Sequence, residues 1–411
     1  MGAQVFILFL FSAFLTFLLH RSLKYFFALL VLSGMILLTS WWSYTAFNSP
    51  GQALEIRYNF TGYFDFPALT IDRLSAFFVL IINITVFTGI LFAKGYLKSY
   101  LETKRQLVFS IHYFAYLWLY FSMLLVVMLR DGYAFLIVWE LMSLSSFLLV
   151  IFDVEDRYTL KTGINYLIQM HVGFALLLVA FLITENKTGS MSFDALTQYF
   201  SGHPNILLFL LFFIGFGIKA GFVPLHTWLP EAHPAAPSHI SGVMSGVMIK
   251  MGIYGILRVL LSVQTDLLWV GTIILGVSLV SGLLGVMTAI LQHDLKRLLA
   301  YHSIENIGII GIGIGLGIIG KATGNDALAL LGLSGGLLHV LNHSLFKSLL
   351  FYGAGSVYQS AHTRHIDHLG GLIKKMPYTA VFFLIGSLAI CGLPPFNGFI
   401  SEYLIYLGMF K

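Results

Sequence analysis

Apolar residues run along this chain in blocks of sixteen to thirty-three, separated by short polar joints. Twelve blocks are legible, near residues 4–19, 25–42, 74–93, 112–129, 133–152, 163–183, 206–230, 239–261, 267–290, 298–319, 329–354 and 378–410. A helix needs about 20 apolar residues to cross a bilayer, whereas a barrel strand needs only about ten, so the blocks predict helices. The fold class is therefore an all-α polytopic membrane protein. The polar and aromatic stretch Asn48–Thr70 is expected to be the main extramembrane loop. Val5 to Leu19 has no basic flank before it and no small-residue cleavage site, and reads as a retained span rather than a removed signal.

The pattern repeats. Phe212-Phe213-Ile214-Gly215, followed by Gly221 and Pro224, matches Phe383-Leu384-Ile385-Gly386, followed by Gly392 and Pro395, at an offset of 171 residues. Both copies place glycine and proline inside a long apolar block, where proline removes a backbone hydrogen bond and breaks a helix. Paired broken helices in corresponding halves point to a transporter built from inverted repeats, with its site near the midplane. Three regions follow: 1–111 with helices one to three and the external loop, 112–261 as the first repeat, and 262–411 as the second. Block eight has no counterpart after block twelve, so the end at Lys411 is expected to be a truncation.

Composition narrows the class. The chain has 411 residues, 58% hydrophobic and 10% charged, against about 25% charged in a soluble domain. With charge so scarce, the net +5 is no argument for nucleic acid. The lone cysteine, Cys391, excludes a disulfide scaffold and a cysteine-ligated iron–sulfur cluster in this chain. Thirteen Lys and Arg residues, among them Lys104, Arg105, Arg297 and Lys375, fall in odd-numbered loops, against six on the other side. That excess predicts cytoplasmic odd loops and an external N-terminus.

Five charges occupy blocks that should exclude them: Glu140, Lys219, Lys250, Lys347 and Glu402. One charge at the bilayer midplane costs roughly 2.5–3.5 kcal/mol. Static ion pairs or snorkelling helix-end residues explain one or two such groups; five, with both signs present, point to charge movement.

His339, His343 and Lys347 recur every four residues on one helical face. Imidazole donates and accepts at once, so the row suits proton transfer. Zinc binding by the two histidines is the lesser reading, because no third ligand follows on that face. Glu140 lies among apolar neighbours and needs a cation, for which Lys219 is the candidate; Lys250 and Lys347 extend the row. The segment His226–His239, with prolines at 230, 234 and 237, reads as a stiff loop or re-entrant turn that lines a proton entrance or caps broken-helix backbone. His362, His365 and His368 read as a solvated loop with Arg364 and Asp367 rather than a metal site.

The strings Val138-Trp-Glu-Leu-Met-Ser143, Lys219-Ala-Gly-Phe-Val-Pro-Leu-His-Thr-Trp-Leu-Pro-Glu-Ala232, Asp294-Leu-Lys-Arg-Leu-Leu-Ala-Tyr301 and His339 through Lys347 carry a resemblance. With them the chain resembles the antiporter-like proton-channel subunits of complex I, Mrp antiporters and membrane-bound hydrogenases, from about Asp72 onward. Tyr301–Gly308 and Gly392-Leu-Pro394-Pro395-Phe-Asn-Gly-Phe-Ile-Ser-Glu402 look most like the hydrogenase-4 component B and formate hydrogenlyase branch.

The resemblance implies about fourteen helices, with two inverted five-helix repeats and breaks at Gly221–Pro224 and Gly392–Pro395. It implies that Glu140 and Lys219 form a half-channel pair, that Lys250 and Lys347 with His339 and His343 are the connecting relay, and that Glu402 is the terminal group. It implies no cofactor here, with iron–sulfur, nickel–iron or flavin groups in partner subunits. Those partners would be other membrane subunits and a peripheral hydrogenase or dehydrogenase arm in a prokaryotic inner membrane. An Mrp-type antiporter subunit, a membrane subunit of a bicarbonate-accumulating complex and a static anchor are the alternatives.

Overall fold

The computed structural model describes residues 2–49, 51–57, 68–203 and 206–411. Among these, nine helices are long and apolar enough to cross a membrane, and three shorter apolar helices, Phe6–Phe17, Ile206–Ala220 and Pro377–Ile390, fill the remaining blocks. The chain divides into two compact units, Met1–Leu196 and Thr197–Lys411.

In the first unit α1 (Gly2–Ser12) runs into a 3₁₀ turn, Ala13–Phe17, and α2 (Arg21–Asn48) follows. The Asn48–Thr70 stretch holds a short hairpin that the hydrophobic pattern does not predict: β1 (Leu54–Ile56) pairs antiparallel with β2 (Leu69–Ile71), Leu54 opposite Ile71. Residues 58–67 of that stretch lie outside the described residues. Then come α3 (Arg73–Lys98), α4 (Gln106–Met128), α5 (Gly132–Val150) and α6 (Arg157–Thr188). The joints are written in aspartates. Asp72, Asp131 and Asp156 each accept hydrogen bonds from first-turn N–H groups of α3, α5 and α6, meeting donors that a helix start leaves unsatisfied.

Two sets of polar groups inside this unit are matched to one another. Tyr120 donates to Asn83 Oδ1 at 2.8 Å, and the Asn83 amide donates to Thr39 and Ser40 at 3.0 and 2.9 Å. Lys24, counted with the loops by sequence, is fully buried. Its ammonium donates to the Thr16 and Leu19 carbonyls and to Ser110 Oγ, at 2.5, 2.7 and 2.7 Å. All three donors are used, which is the condition for burying an ammonium.

After α7 (Phe193–Gly202), the second unit runs through α8 (Ile206–Ala220), α9 (Leu229–Ala235), α10 (Ser238–Val243), a π turn at Met244–Met248, and α11 (Lys250–Leu260). Next are α12 (Leu267–Ile290), α13 (Leu295–Thr323) and α14 (Asp326–Ala361), then a 3₁₀ turn at Ile366–His368, α15 (Leu372–Lys375), α16 (Pro377–Ile390) and α17 (Asn397–Met409). The stretch from Ser238 to Leu260 is buried throughout its most apolar window, whereas α12 leaves Leu283, Met287 and Ile290 exposed, as a lipid-facing helix would. Lipid offers apolar side chains no reason to leave it, so helix contact here depends on close backbone approach. A Cβ at Gly308 of α13 would lie 2.5 Å from the Gly282 nitrogen of α12, and one at Gly313 would lie 2.8 Å from the Gly336 Cα of α14.

Candidate functional site

Two interruptions shape the second unit. α8 ends at Ala220, Gly221 turns with φ +85°, and Val223–Pro224 is cis. The backbone exposed there finds side-chain partners: Val223 N–H donates to Ser281 Oγ at 3.0 Å, and Trp228 Nε1 donates to the Ile218 carbonyl at 2.8 Å. α16 ends at Ile390, Gly392 turns with φ +61°, and Pro394–Pro395 is cis. Asn342 of α14 donates to the Asn397 carbonyl at 2.7 Å, and Asn397 returns a bond to Asn342 Oδ1 at 3.1 Å. Only glycine adopts such φ values without strain. At Gly392 a Cβ would also meet Glu402 Oε2 at 2.5 Å, so a side chain there would displace that carboxylate. The Glu402 carboxylate thus lies over the second break.

Between the breaks lies a buried polar row. The Lys250 ammonium donates to the Ser245 carbonyl and to His343 Nδ1. The π turn makes the first contact available: Ile249 N–H reaches back five residues to Met244 O, while the Ser245 carbonyl takes the ammonium. Single π turns of this kind are frequent at functional sites. His343 faces His339 with ring centroids 6.5 Å apart and planes 22° from parallel. His339 Nδ1 meets Ser401 Oγ at 2.9 Å and Nε2 meets Asn306 Oδ1 at 3.0 Å. Lys250, His339, His343 and Lys347 are each 0% exposed.

The chemistry of His339 follows from its partners. Asn306 Nδ2 donates to the His302 carbonyl at 2.8 Å, which fixes the amide with Oδ1 toward the imidazole. An amide oxygen only accepts, so Nε2 carries hydrogen. In the neutral ring Nδ1 then accepts from the Ser401 hydroxyl. When the ring holds two protons, that hydroxyl turns to the Gly398 carbonyl, 2.9 Å away. Ser401 has a partner in either state, so His339 can gain and lose a proton without stranding a polar group.

Lys347 sits one turn beyond His343, over the Phe351 ring with Nζ 6.0 Å from its centroid, and its ammonium has no hydrogen-bond partner among the described residues. Glu305 of α13 pairs with His302 at 2.5 Å. Lys219, the penultimate residue of α8, is buried just before the first break.

Glu140 belongs to the first unit, on α5, beside a cleft of 410 Å³ lined by Leu136, Ile137, Phe174 and Leu178. Its surroundings are not wholly apolar: His171 of α6 places Nε2 3.3 Å from Glu140 Oε2. His171 Nδ1 lies 2.9 Å from the Leu167 carbonyl, which only accepts, so Nδ1 carries hydrogen. Period counting missed His171 because it stands alone on its helix face. Ser245, Asn306 and Ser401 were missed because serines and asparagines are common in membrane helices. Arg258 and Lys296, assigned to loops by sequence, are buried at the ends of α11 and α13.

Relatives are consistent with this architecture. Hydrogenase-4 component B of Escherichia coli K12 is 42% identical over 355 residues, which is 85% of this chain and 52% of that protein. Formate hydrogenlyase subunit 3 of the same organism is 39% identical over 67% of this chain and 45% of its own length. An NAD(P)H-quinone oxidoreductase chain 4 of Thermosynechococcus vestitus is 33% identical over 72% of this chain and 54% of its own. The chain thus spans about half the length of these curated relatives. Two solved structures share the fold at a TM-score of 0.84. They are the archaeal membrane-bound sulfane sulfur reductase, at 22% identity over 99% of this chain and 81% of that one, and the Mrp complex of Dietzia sp. DQ12-45-1b, at 21% over 100% and 74%. The family model described as NADH:quinone oxidoreductase/Mrp antiporter, TM, matches residues 130–411, and the chain belongs to that family of integral membrane proteins.

Proposed function

We propose that this chain is a proton-translocating membrane subunit of a redox-driven complex, of the energy-converting hydrogenase or complex I-like type. The observation that carries the reading is the buried run from Ser245 through Lys250, His343 and His339 to Ser401 and Asn306. A protein holding itself together in lipid has no use for such a row, since each buried ionisable group is costly there. Proton transfer needs groups that donate and accept within hydrogen-bond reach or through one water; Lys250 meets His343 directly, and the step from His343 to His339 would run through a water. Glu140 with His171, Lys219 at the first break and Glu402 at the second are assigned to the same function. The names of the relatives, which include hydrogenase-4, formate hydrogenlyase and quinone oxidoreductase components, support a redox partner.

Electron transfer is assigned to partner subunits: other membrane subunits and a peripheral arm carrying iron–sulfur, nickel–iron or flavin groups. The membrane is assigned as a prokaryotic inner membrane with the N-terminus outside, from the excess of basic residues in odd-numbered loops. The test is to purify the native complex, identify its subunits by mass spectrometry, and measure acidification in proteoliposomes during turnover. Hydrogenase or dehydrogenase subunits with redox-driven proton movement are expected. Sodium-dependent exchange without redox subunits would replace the reading with an antiporter.

A further inference from the structure

α9 carries a histidine that the row just described does not use. His233 is 0% exposed, and neither ring nitrogen has a hydrogen-bond partner among the described residues. Its ring stacks on Phe351 of α14, centroids 4.7 Å apart and planes 26° from parallel. The same phenyl ring carries the Lys347 ammonium. Two buried polar groups without protein partners therefore share one aromatic neighbour. Ser238 Oγ at the start of α10 and His343 Nε2 on α14 are two more such atoms. Buried polar atoms are almost always hydrogen-bonded, to water if not to protein.

The backbone around His233 is held firmly. Ser241 Oγ donates to the His233 carbonyl at 2.9 Å, Arg364 Nη1 to the Pro234 carbonyl at 2.5 Å, and Lys296 Nζ to the Ala236 carbonyl at 2.7 Å. Three donors fix the main chain at and just after an imidazole that itself donates to nothing among the described residues. Buried lysines stand in two places about this segment: Lys296 at the start of α13, bonded to the Ala236 carbonyl three residues beyond His233, and the interior pair Lys347 and Lys250, of which Lys347 shares the Phe351 ring. Lys296 in turn neighbours Arg364 and Asp294, which pair at 3.2 Å, and Arg297 pairs with Glu231 at 2.7 Å; both pairs are partly exposed.

We infer that His233 is a further proton-carrying group, a branch by which the buried lysine row communicates with the end of the second unit bearing Glu231, Arg297, Asp294 and Arg364. In the transfer, the Lys347 ammonium gives a proton through one water to an imidazole nitrogen, leaving a neutral amine and an imidazolium. The second ring N–H then passes its proton to a water on the far side, which carries the positive charge away and leaves both the ring and the amine neutral, so total charge is conserved at each step. The inference rests on the reading that this unit moves protons.

Two experiments on the native complex test it. Histidine C2-hydrogen exchange read by mass spectrometry reports whether water reaches the ring. Measurable exchange at His233 is expected despite its burial, and none over days would overturn the branch. Redox-driven proton uptake in proteoliposomes is the second readout. His233→Gln and His233→Phe should each lower protons moved per electron by about tenfold or more. The phenyl variant keeps the stack on Phe351, so a merely structural histidine would leave uptake intact there; parent-level uptake in either variant overturns the branch. If Lys250→Met abolishes uptake while both His233 variants pump normally, the branch alone fails. If the parent complex moves no protons, the functional reading fails with it.

Discussion

His343 Nδ1 accepts a hydrogen bond from the Lys250 ammonium, so the lysine of α11 and the imidazole of α14 hold one proton in common. The two residues are 93 positions apart in sequence. Whichever group carries the proton, the other must lack it at that atom, and the pair behaves as a single titrating unit.

Removing either member should therefore stop transfer to a similar degree. Lys250→Met and His343→Leu are each expected to lower proton translocation by about 100-fold, the lower end of what a positioned acid–base group contributes. The double variant should lose little more than either single one, because the residues share one function. Assembly, checked by the yield of intact complex, should persist. Losses that multiply in the double variant would show independent roles.

His339 depends on a hydroxyl that can turn. Ser401→Ala leaves Nδ1 without a donor in the neutral ring, and Asn306→Leu removes the acceptor that fixes Nε2–H. Each should slow translocation by about tenfold or more without affecting electron transfer in an uncoupled assay. Asn306→Gln, which keeps an amide oxygen on a longer arm, should recover part of the rate. Equal rates in Ser401→Ala and parent would remove the hydroxyl from the mechanism.

Gly308 sits where α13 meets α12 backbone to backbone. Its hypothetical Cβ lies 2.5 Å from Gly282 N and 2.7 Å from the Ser278 carbonyl, atoms that no rotamer change can move. Gly308→Ala should destabilise the unit by roughly 1–3 kcal/mol, the usual cost of overpacking, read as a fall in the thermal midpoint of the detergent-solubilised complex. Gly276→Ala, with nothing within 4 Å of its Cβ position, is the matched control and should be close to neutral.

Two charged joints outside the membrane set opposite pH limits. The hydrogen bond from Lys104 to Asp153, at 2.5 Å, outweighs desolvation and raises the ammonium above its ordinary 10.5. That contribution is complete below 10.5 and is lost as pH rises past it. The hydroxyl and N–H of Thr159 hold the Asp156 carboxyl below its ordinary 3.8, so its contribution is complete above 3.8 and is lost as pH falls. The stability difference between parent and Lys104→Ala should stay flat through the neutral range and narrow only in strong alkali. For Asp156→Ala it should narrow only in strong acid. A swing in either difference near neutrality would contradict the assignment.

Much of this was legible in the residues because lipid imposes a simple rule. A block such as 267–290 must be helical, and Gly221 with Pro224, or Gly392 with Pro395, must interrupt one. The four-residue spacing of His339, His343 and Lys347 placed all three on one helix, and the structure buries them together. The partners were not legible. Ser401 reaches His339 from 62 residues away and Asn306 from 33, and neither residue type is rare in a membrane helix. Lys24 and Lys296 were assigned to loops because sequence gives a helix end and not the depth of its side chain. His233 was visible only as one polar residue in a proline-rich stretch, since its stacking partner lies on a helix more than a hundred residues away.

The π turn at Met244–Met248 places one residue more between Ser238 and Lys250 than an α-helix would use for the same hydrogen-bonded turn. Each residue of an α-helix advances the side chain by about 100°, so the surplus sets the angular phase of everything after it. Before the turn, Gly242 faces α14, where its carbonyl receives the Ser348 hydroxyl at 3.2 Å. After it, Gly252 and Gly255 lie against Phe216 of α8, where a Cβ would come within 2.4 Å. One span therefore serves two neighbours at two rotational settings. Substitutions along it can be judged singly, but deleting one residue anywhere from Ser238 to Ile249 would force a choice. Either Lys250 turns away from His343, or the glycines turn away from Phe216. The position of the lysine is a matter of counting, and the span has no slack in the count.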